Sequence, residues 1–198
     1  MASPAWVQHT PASVAFWLAY AACFVPEIIG SFFQKSGSGD RKKDRGSVAI
    51  LIGGTIASLF IAFNLAVNLP ALTIAKNGVG MMIAGTALMV AGVSFRWYAI
   101  RTLGRFFTRD VAIRDNHRII RTGPYRILRH PSYSGYLIAM AGIGIALNNW
   151  AALLIMLTIN VAIYNHRMSI EEAALADAFG PDYEQYKRET KRIIPLLY

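Results

Sequence analysis

An all-α integral membrane protein of about five transmembrane helices is the fold class that this sequence predicts, on three observations. Hydrophobic residues make up 55% of the chain and charged residues only 16%, a balance that a water-exposed surface does not tolerate. The charges are gathered into islands, which leaves uncharged runs near the ~20 residues needed to cross a hydrocarbon layer of about 30 Å. Of the 20 Lys and Arg residues, 19 fall on one side of a five-span arrangement, in 34–46, 96–131 and 166–198, with Lys76 alone on the other. Basic loops stay in the cytoplasm, so that side is expected to be cytoplasmic and the N-terminus to face outward. The net charge of +9 therefore reads as headgroup contact rather than as phosphate contacts to nucleic acid.

The first span covers 11–33, and Pro26 within it removes a backbone donor and is expected to kink it. Glu27 lies beside that proline at membrane depth, or close enough to the Lys35 end to reach the interface. The run has no basic n-region or clear cleavage site, so it reads as a retained helix rather than a signal peptide. Cys23 is the single cysteine, which leaves no intrachain disulfide and no cysteine metal site; no metal is expected. A polar loop, 34–46, leads to the second span, 47–69. There Gly53-xxx-Ala57 and Gly54-xxx-Ser58 permit close helix contact, and Asn64 and Asn68, four apart, are placed to bond across a helix interface. The third span, 78–95, ends on Arg96, Trp97 and Tyr98, read as an interfacial anchor.

An arginine-dense polar segment follows, 101–131. Thr122-Gly123-Pro124-Tyr125 is a turn signal. His130-Pro131 is another, because a residue before proline is pushed out of the helical region, while Pro131 suits the first turn of the next helix. Arg129 and His130 are thereby set at the mouth of the fourth span, 132–147. Asn148-Asn149 marks a hairpin tip, and the fifth span is 150–164. From Ser169 an amphipathic helix is expected, broken at Gly180-Pro181. Arg167 and Glu171, four apart, share a helix face where the last span leaves the membrane. The whole divides into 1–100, three N-terminal spans, and 101–198, the half that carries both polar islands, the hairpin and a C-terminal helix.

In order, the motifs His117-Arg118-Ile119-Ile120, Gly123-Pro124-Tyr125, Arg129-His130-Pro131-Ser132-Tyr133-Ser134-Gly135, Arg167-xxx-Glu171-Glu172, Phe179-Gly180-xx-Tyr183-xx-Tyr186 and Ile194-Pro195 resemble the isoprenylcysteine carboxyl methyltransferase family. The wider group includes membrane phospholipid methyltransferases. The resemblance covers about 104–196. It implies an S-adenosylmethionine-dependent methyltransferase, releasing S-adenosylhomocysteine, whose cytoplasmic cofactor pocket is formed by the loop before the fourth helix and the C-terminal segment. By position, His117, Arg118, Ile119, Ile120, Tyr125, His130, Pro131, Ser132, Tyr133 and Glu171 would bind the cofactor. Arg167 would face the substrate carboxylate together with Glu172, and Arg129 and Arg167 would be the catalytic residues. Where the family often has Gln or Glu after its Phe-polar-polar segment, this chain has Val111-Ala112 after Phe107-Thr108-Arg109-Asp110, with Asp110 as the substitute. The expected acceptor is a prenylated cysteine or similar lipid-tailed acid entering from the bilayer. Methylation of a phospholipid amine or hydrophobic thiol is the alternative, and a nicotinamide-dependent membrane reductase or a non-catalytic transporter or scaffold are those of other classes. No G-x-G-x-x-G stretch marks a dinucleotide fold.

Overall fold

The computed structural model describes residues 4–8, 10–33, 41–42, 46–107, 112–113 and 118–194. Six α-helices form the body: α1 (Pro11–Phe33), α2 (Ser47–Asn68), α3 (Gly78–Leu103), α4 (Pro131–Ala146), α5 (Trp150–Phe179) and α6 (Pro181–Glu189). The departures from all-α architecture among the described residues are a two-residue antiparallel pairing of Arg41–Lys42 with Ala112–Ile113 and the single-residue bridges Thr73–Asn149 and Leu128–Lys191. Three helices, α2, α3 and α5, are long and apolar enough to cross a membrane, and 11–26 is a shorter apolar stretch. Large side chains such as Leu18, Ile56, Phe60, Ile83 and Leu154 stand exposed on the outside of the bundle, the pattern of a body solvated by lipid.

Two helices outrun the boundaries that hydropathy draws. α3 does not end with its apolar run at Phe95 but continues two turns to Leu103. α5 passes through the polar island without a break, 30 residues in all, so the fifth span and the expected amphipathic helix are one rod. It stops where expected: Gly180 takes φ +52°, a left-handed value that glycine adopts without a Cβ penalty, and Pro181 opens α6 in the first turn, where its missing N–H is harmless. Capping follows the sequence. The Asn77 side chain accepts from the Gly80 N–H, and that of Asn149 accepts from the Ala152 N–H.

The tightest packing joins α3 to α4. Gly85 and Gly92 on α3, seven residues apart, face Gly142 and Gly135 on α4, also seven apart. A Cβ on Gly92 would fall 2.5 Å from the Ala139 nitrogen and 2.6 Å from the Gly135 oxygen, and one on Gly142 would fall 2.4 Å from the Met89 nitrogen. The helices touch backbone to backbone, as small residues allow in lipid. α2 packs on α5 with more help from polar side chains. Asn160, fully buried, donates to Ser58 Oγ at 2.9 Å and accepts from Thr55 Oγ1 at 3.3 Å. Of the small-residue pairs read in α2, Gly54 and Ser58 make the contact: a Cβ on Gly54 would overlap Ile163, whereas Gly53 faces open space. Asn64 and Asn68 do not bridge helices. Each donates back to a carbonyl of its own helix, that of Phe60 and Asn64 respectively, because both sit on an exposed face.

At the end of the bundle away from the polar islands, the hairpin tip is tied to the 69–77 connection. Asn148, at φ +53°, bonds both the N–H and the carbonyl of Ala75, and Asn149 donates to the Leu69 carbonyl. This fixes where α4 and α5 turn, and hence where their other ends meet.

Candidate active site

Those other ends gather the two polar islands. His130 is the residue before α4, with its ring buried, and Pro131 starts the helix. The loop before it runs alongside the segment after α6 as a short parallel pairing of Leu128 with Lys191. The Arg129 N–H donates to the Lys191 carbonyl at 2.7 Å, the His130 N–H to the Arg192 carbonyl at 3.0 Å and the Lys191 N–H to the Ile127 carbonyl at 2.8 Å. Ser134 Oγ adds a bond to the Ile193 carbonyl. The Tyr186 hydroxyl donates to the Tyr125 carbonyl, and Arg121 pairs with Glu189 at 2.7 Å.

Glu172 is the hub. It receives Arg129 Nε at 3.0 Å, His130 Nε2 at 3.1 Å, and Arg192 through Nε at 3.1 Å and Nη2 at 3.0 Å. Its side chain is 11% exposed, those of Arg129 and Arg192 13% and 15%. Burial pushes its carboxyl up, but the hydrogen bonds from His130 and Arg192, the charge of His130 and the bond from Arg129 outweigh that and hold it well below the usual carboxylate range. Arg129 also donates from Nη1 to the Lys187 and Thr190 carbonyls. One carboxylate and one arginine thus stitch α5, the loop before α4 and the segment after α6 together.

Glu171, the adjacent residue, behaves differently. Its side chain is 31% exposed, and Oε2 accepts from the Tyr133 hydroxyl at 2.7 Å. That hydroxyl accepts from Arg167 Nε at 3.0 Å, while Arg167 Nη1 donates to Ser47 Oγ, at the start of α2, at 2.9 Å. Arg167 is only 4% exposed. A buried guanidinium, a phenol and a half-open carboxylate therefore form one relay, Arg167 to Tyr133 to Glu171. The His130 ring stacks parallel to that of Tyr133, centroids 5.4 Å apart, and Tyr164 closes the inner side at 4.8 Å from Tyr133.

Of the residues expected here, Arg129, His130, Pro131, Ser132, Tyr133, Arg167, Glu171 and Glu172 converge. Tyr125 is buried beside them and joins through Tyr186. Arg118 is exposed and Ile119 and Ile120 are half-buried in the extended approach to the 123–126 turn. His117 and Asp110 lie outside the described residues, as do the side chain of Glu27, most of loop 34–46 and Pro195. Two members escaped the sequence reading. Arg96 is no interfacial anchor: it is 6% exposed, donates to the Ser132 carbonyl at 3.2 Å and lies over the Tyr136 ring at 5.6 Å, because α3 runs on past it and packs against the first turn of α4. Arg192 carries no motif signal, yet its side chain also reaches Asn165 and Ser169. Among the described residues no cluster of His, Cys, Asp and Glu is suited to a metal ion.

The fold and site define a multi-pass helical membrane protein with a buried arginine–carboxylate site at one end of its helices. The resemblance read in the motifs holds in direct comparison: residues 85–177 match the isoprenylcysteine carboxyl methyltransferase (ICMT) family. A probable protein-S-isoprenylcysteine O-methyltransferase of Oryza sativa is 32% identical over 115 residues, 57% of this chain and 60% of that one. The protein-S-isoprenylcysteine O-methyltransferase of Schizosaccharomyces pombe is 33% identical over 108 residues, 54% of this chain and 46% of that one. The chain thus aligns with about half to three-fifths of these relatives' lengths. A solved structure described as the eukaryotic intramembrane Ras methyltransferase ICMT has the same fold, with a TM-score of 0.63 and 23% identity over 96% of this chain and 70% of that one.

Proposed function

We propose that this chain is an S-adenosylmethionine-dependent methyltransferase that esterifies the carboxylate of a prenylated cysteine, or of a similar lipid-tailed acid, entering from the bilayer. The observation that carries this reading is the Arg167–Tyr133–Glu171 relay: a buried cation and a half-open anion held on one hydroxyl where α5 leaves the apolar layer. The bound methyl donor would supply an already activated sulfonium methyl group. The residues fit such a group. Glu171 is accessible and suits the ammonium or ribose hydroxyls of a nucleoside-bearing amino acid, with His130 and Tyr133 as a flat wall beside it.

Arg167 is assigned to the acceptor carboxylate. It is braced by Tyr133 and Ser47, so its fork is oriented before the substrate arrives, and a guanidinium grips a carboxylate in bidentate fashion. No general base is needed, because a carboxylate is ionised at neutral pH. The work left to the protein is alignment and exclusion of water. Transfer joins a cation and an anion into neutral products, so the apolar setting of Tyr133, Tyr164 and Met168, all buried, favours the products over the separated charges. Arg129 acts through Glu172 as a positioning residue. Glu172, expected on the substrate, is better assigned to the same clamp, since its two oxygens already serve three basic groups.

Five membrane crossings, with the site and the basic segments on the cytoplasmic face, complete the proposal; the 19-to-1 distribution of Lys and Arg supports that orientation. Incubating the purified protein with labelled S-adenosylmethionine and a farnesylcysteine analogue should yield a base-labile labelled ester. Label appearing only on a phospholipid amine, or binding of a reduced nicotinamide without binding of S-adenosylhomocysteine, would overturn the reading.

A further inference from the structure

Tyr183, in the first turn of α6, is 1% exposed, yet its hydroxyl has no hydrogen-bond partner among the described residues. Its neighbours on this short helix and just after it are satisfied: the Tyr186 hydroxyl donates to the Tyr125 carbonyl and the Thr190 hydroxyl to the Tyr186 carbonyl. Burying a hydroxyl without a partner is costly, and native structures rarely tolerate it without a reason. Phenylalanine would fill the same space, tilted against Tyr186 at 6.0 Å between centroids, without that cost. The hydroxyl therefore asks for a function that contacts among the described residues do not supply.

Its surroundings say which one. Burial raises the Tyr183 phenol well above its ordinary range, and the negative charges of Glu172 and then Glu171 raise it further against the opposing charge of Arg129. The phenol stays protonated, a hydrogen-bond donor lying within the field of both carboxylates. Glu172 is occupied by Arg129, His130 and Arg192, and Glu171 by Tyr133. We propose that Tyr183 is a cofactor-binding residue whose hydroxyl donates to an oxygen or nitrogen of the nucleoside-bearing methyl donor, alongside Glu171. This rests on the methyl-transfer reading above, and it gives α6 a role beyond covering the site: the segment clamped by Glu172 brings a ligand contact with it.

The test is Tyr183→Phe in the purified full-length protein, read by thermal unfolding without ligand and by calorimetric titration with S-adenosylhomocysteine. The unliganded variant should melt at or above the temperature of the parent, because an unsatisfied buried hydroxyl is gone. Its affinity for S-adenosylhomocysteine should fall about five- to tenfold, the loss of one hydrogen bond, with a smaller ligand-induced rise in Tm. Unchanged affinity overturns the inference, whether the melting temperature stays level or falls. If the parent protein itself binds no S-adenosylhomocysteine, the methyl-donor reading fails instead.

Discussion

Replacing Glu172 by alanine should open the C-terminal segment while leaving the helical bundle folded. The substitution removes the acceptor of four charge-assisted bonds, from Arg129, His130 and Arg192, and leaves two nearly buried guanidinium groups without it. Removing one partner of a buried ion pair costs roughly 3–5 kcal/mol. What otherwise holds 190–194 against the loop before α4 is three backbone hydrogen bonds, the Ser134 contact to Ile193 and the Arg129 bond to the Thr190 carbonyl, at about 1 kcal/mol net each. The two quantities are of the same size, so the segment should be close to balance between docked and open. Trypsin provides the assay, since Lys187, Arg188, Lys191 and Arg192 stand in or beside the segment. Cleavage there should become rapid in the variant, with amide hydrogen exchange accelerated over 187–194 and unchanged in α3 and α4. Parental protection of the tail, or loss of protection spread evenly over the whole protein, would refute the reasoning.

The same clamp sets a pH window. The Glu172 carboxyl is held below its ordinary value in the folded protein, so its contribution is present above the unfolded carboxylate pKa of about 4.3 and is lost as pH falls through the depressed folded value; exchange protection of 187–194 should hold from neutrality to about that pH and fail only below it. Glu171→Ala should weaken S-adenosylhomocysteine binding strongly, whereas Arg167→Ala should depress turnover with cofactor affinity retained, a split that calorimetry and steady-state kinetics resolve; the reverse pattern would exchange their roles. Gly92→Leu should lower Tm by forcing α3 off α4, at a cost of at least the ~1–3 kcal/mol typical of overpacking, because the first added carbon already meets backbone at 2.5 Å. Asn160→Ala, which removes the bond to Ser58, should cost about 0.6–1.7 kcal/mol in detergent unfolding, the range for hydrogen bonds between membrane helices.

The helices were legible because water-to-lipid transfer acts on composition, and Gly and Pro mark the turns through backbone geometry that needs no partner. The candidate site was legible for a different reason: Arg129-His130-Pro131 and Arg167-xxx-Glu171-Glu172 stand in polar islands at the ends of apolar runs, in an order along the chain that resembles a known family. What escaped depends on partners distant in the chain. Arg96 looked like an anchor because it ends an apolar run, and only the Ser132 carbonyl beneath it shows that it faces inward. Arg192 sits in an unremarkable basic tail until the chain folds back on Glu172. The glycines of α3 and α4 did carry a signal, two pairs at the same seven-residue spacing, but the four-residue spacings of α2 stood out instead. Asn64 and Asn68 misled for the opposite reason, since a helix supplies carbonyls to its own asparagines.

The glycine seam has a mechanical consequence. With no side chains to act as cushions, α3 and α4 are geared to each other, and sliding one along the other would have to proceed by a whole tooth, about 10 Å at ~1.5 Å per residue, before the glycines seat again. The pair is therefore a fixed axle. Any breathing of the bundle must be taken up at the softer joints, where α1 meets α2 through aromatic rings such as Trp17 and Phe63, or where α2 meets α5 through Asn160 and Ser58.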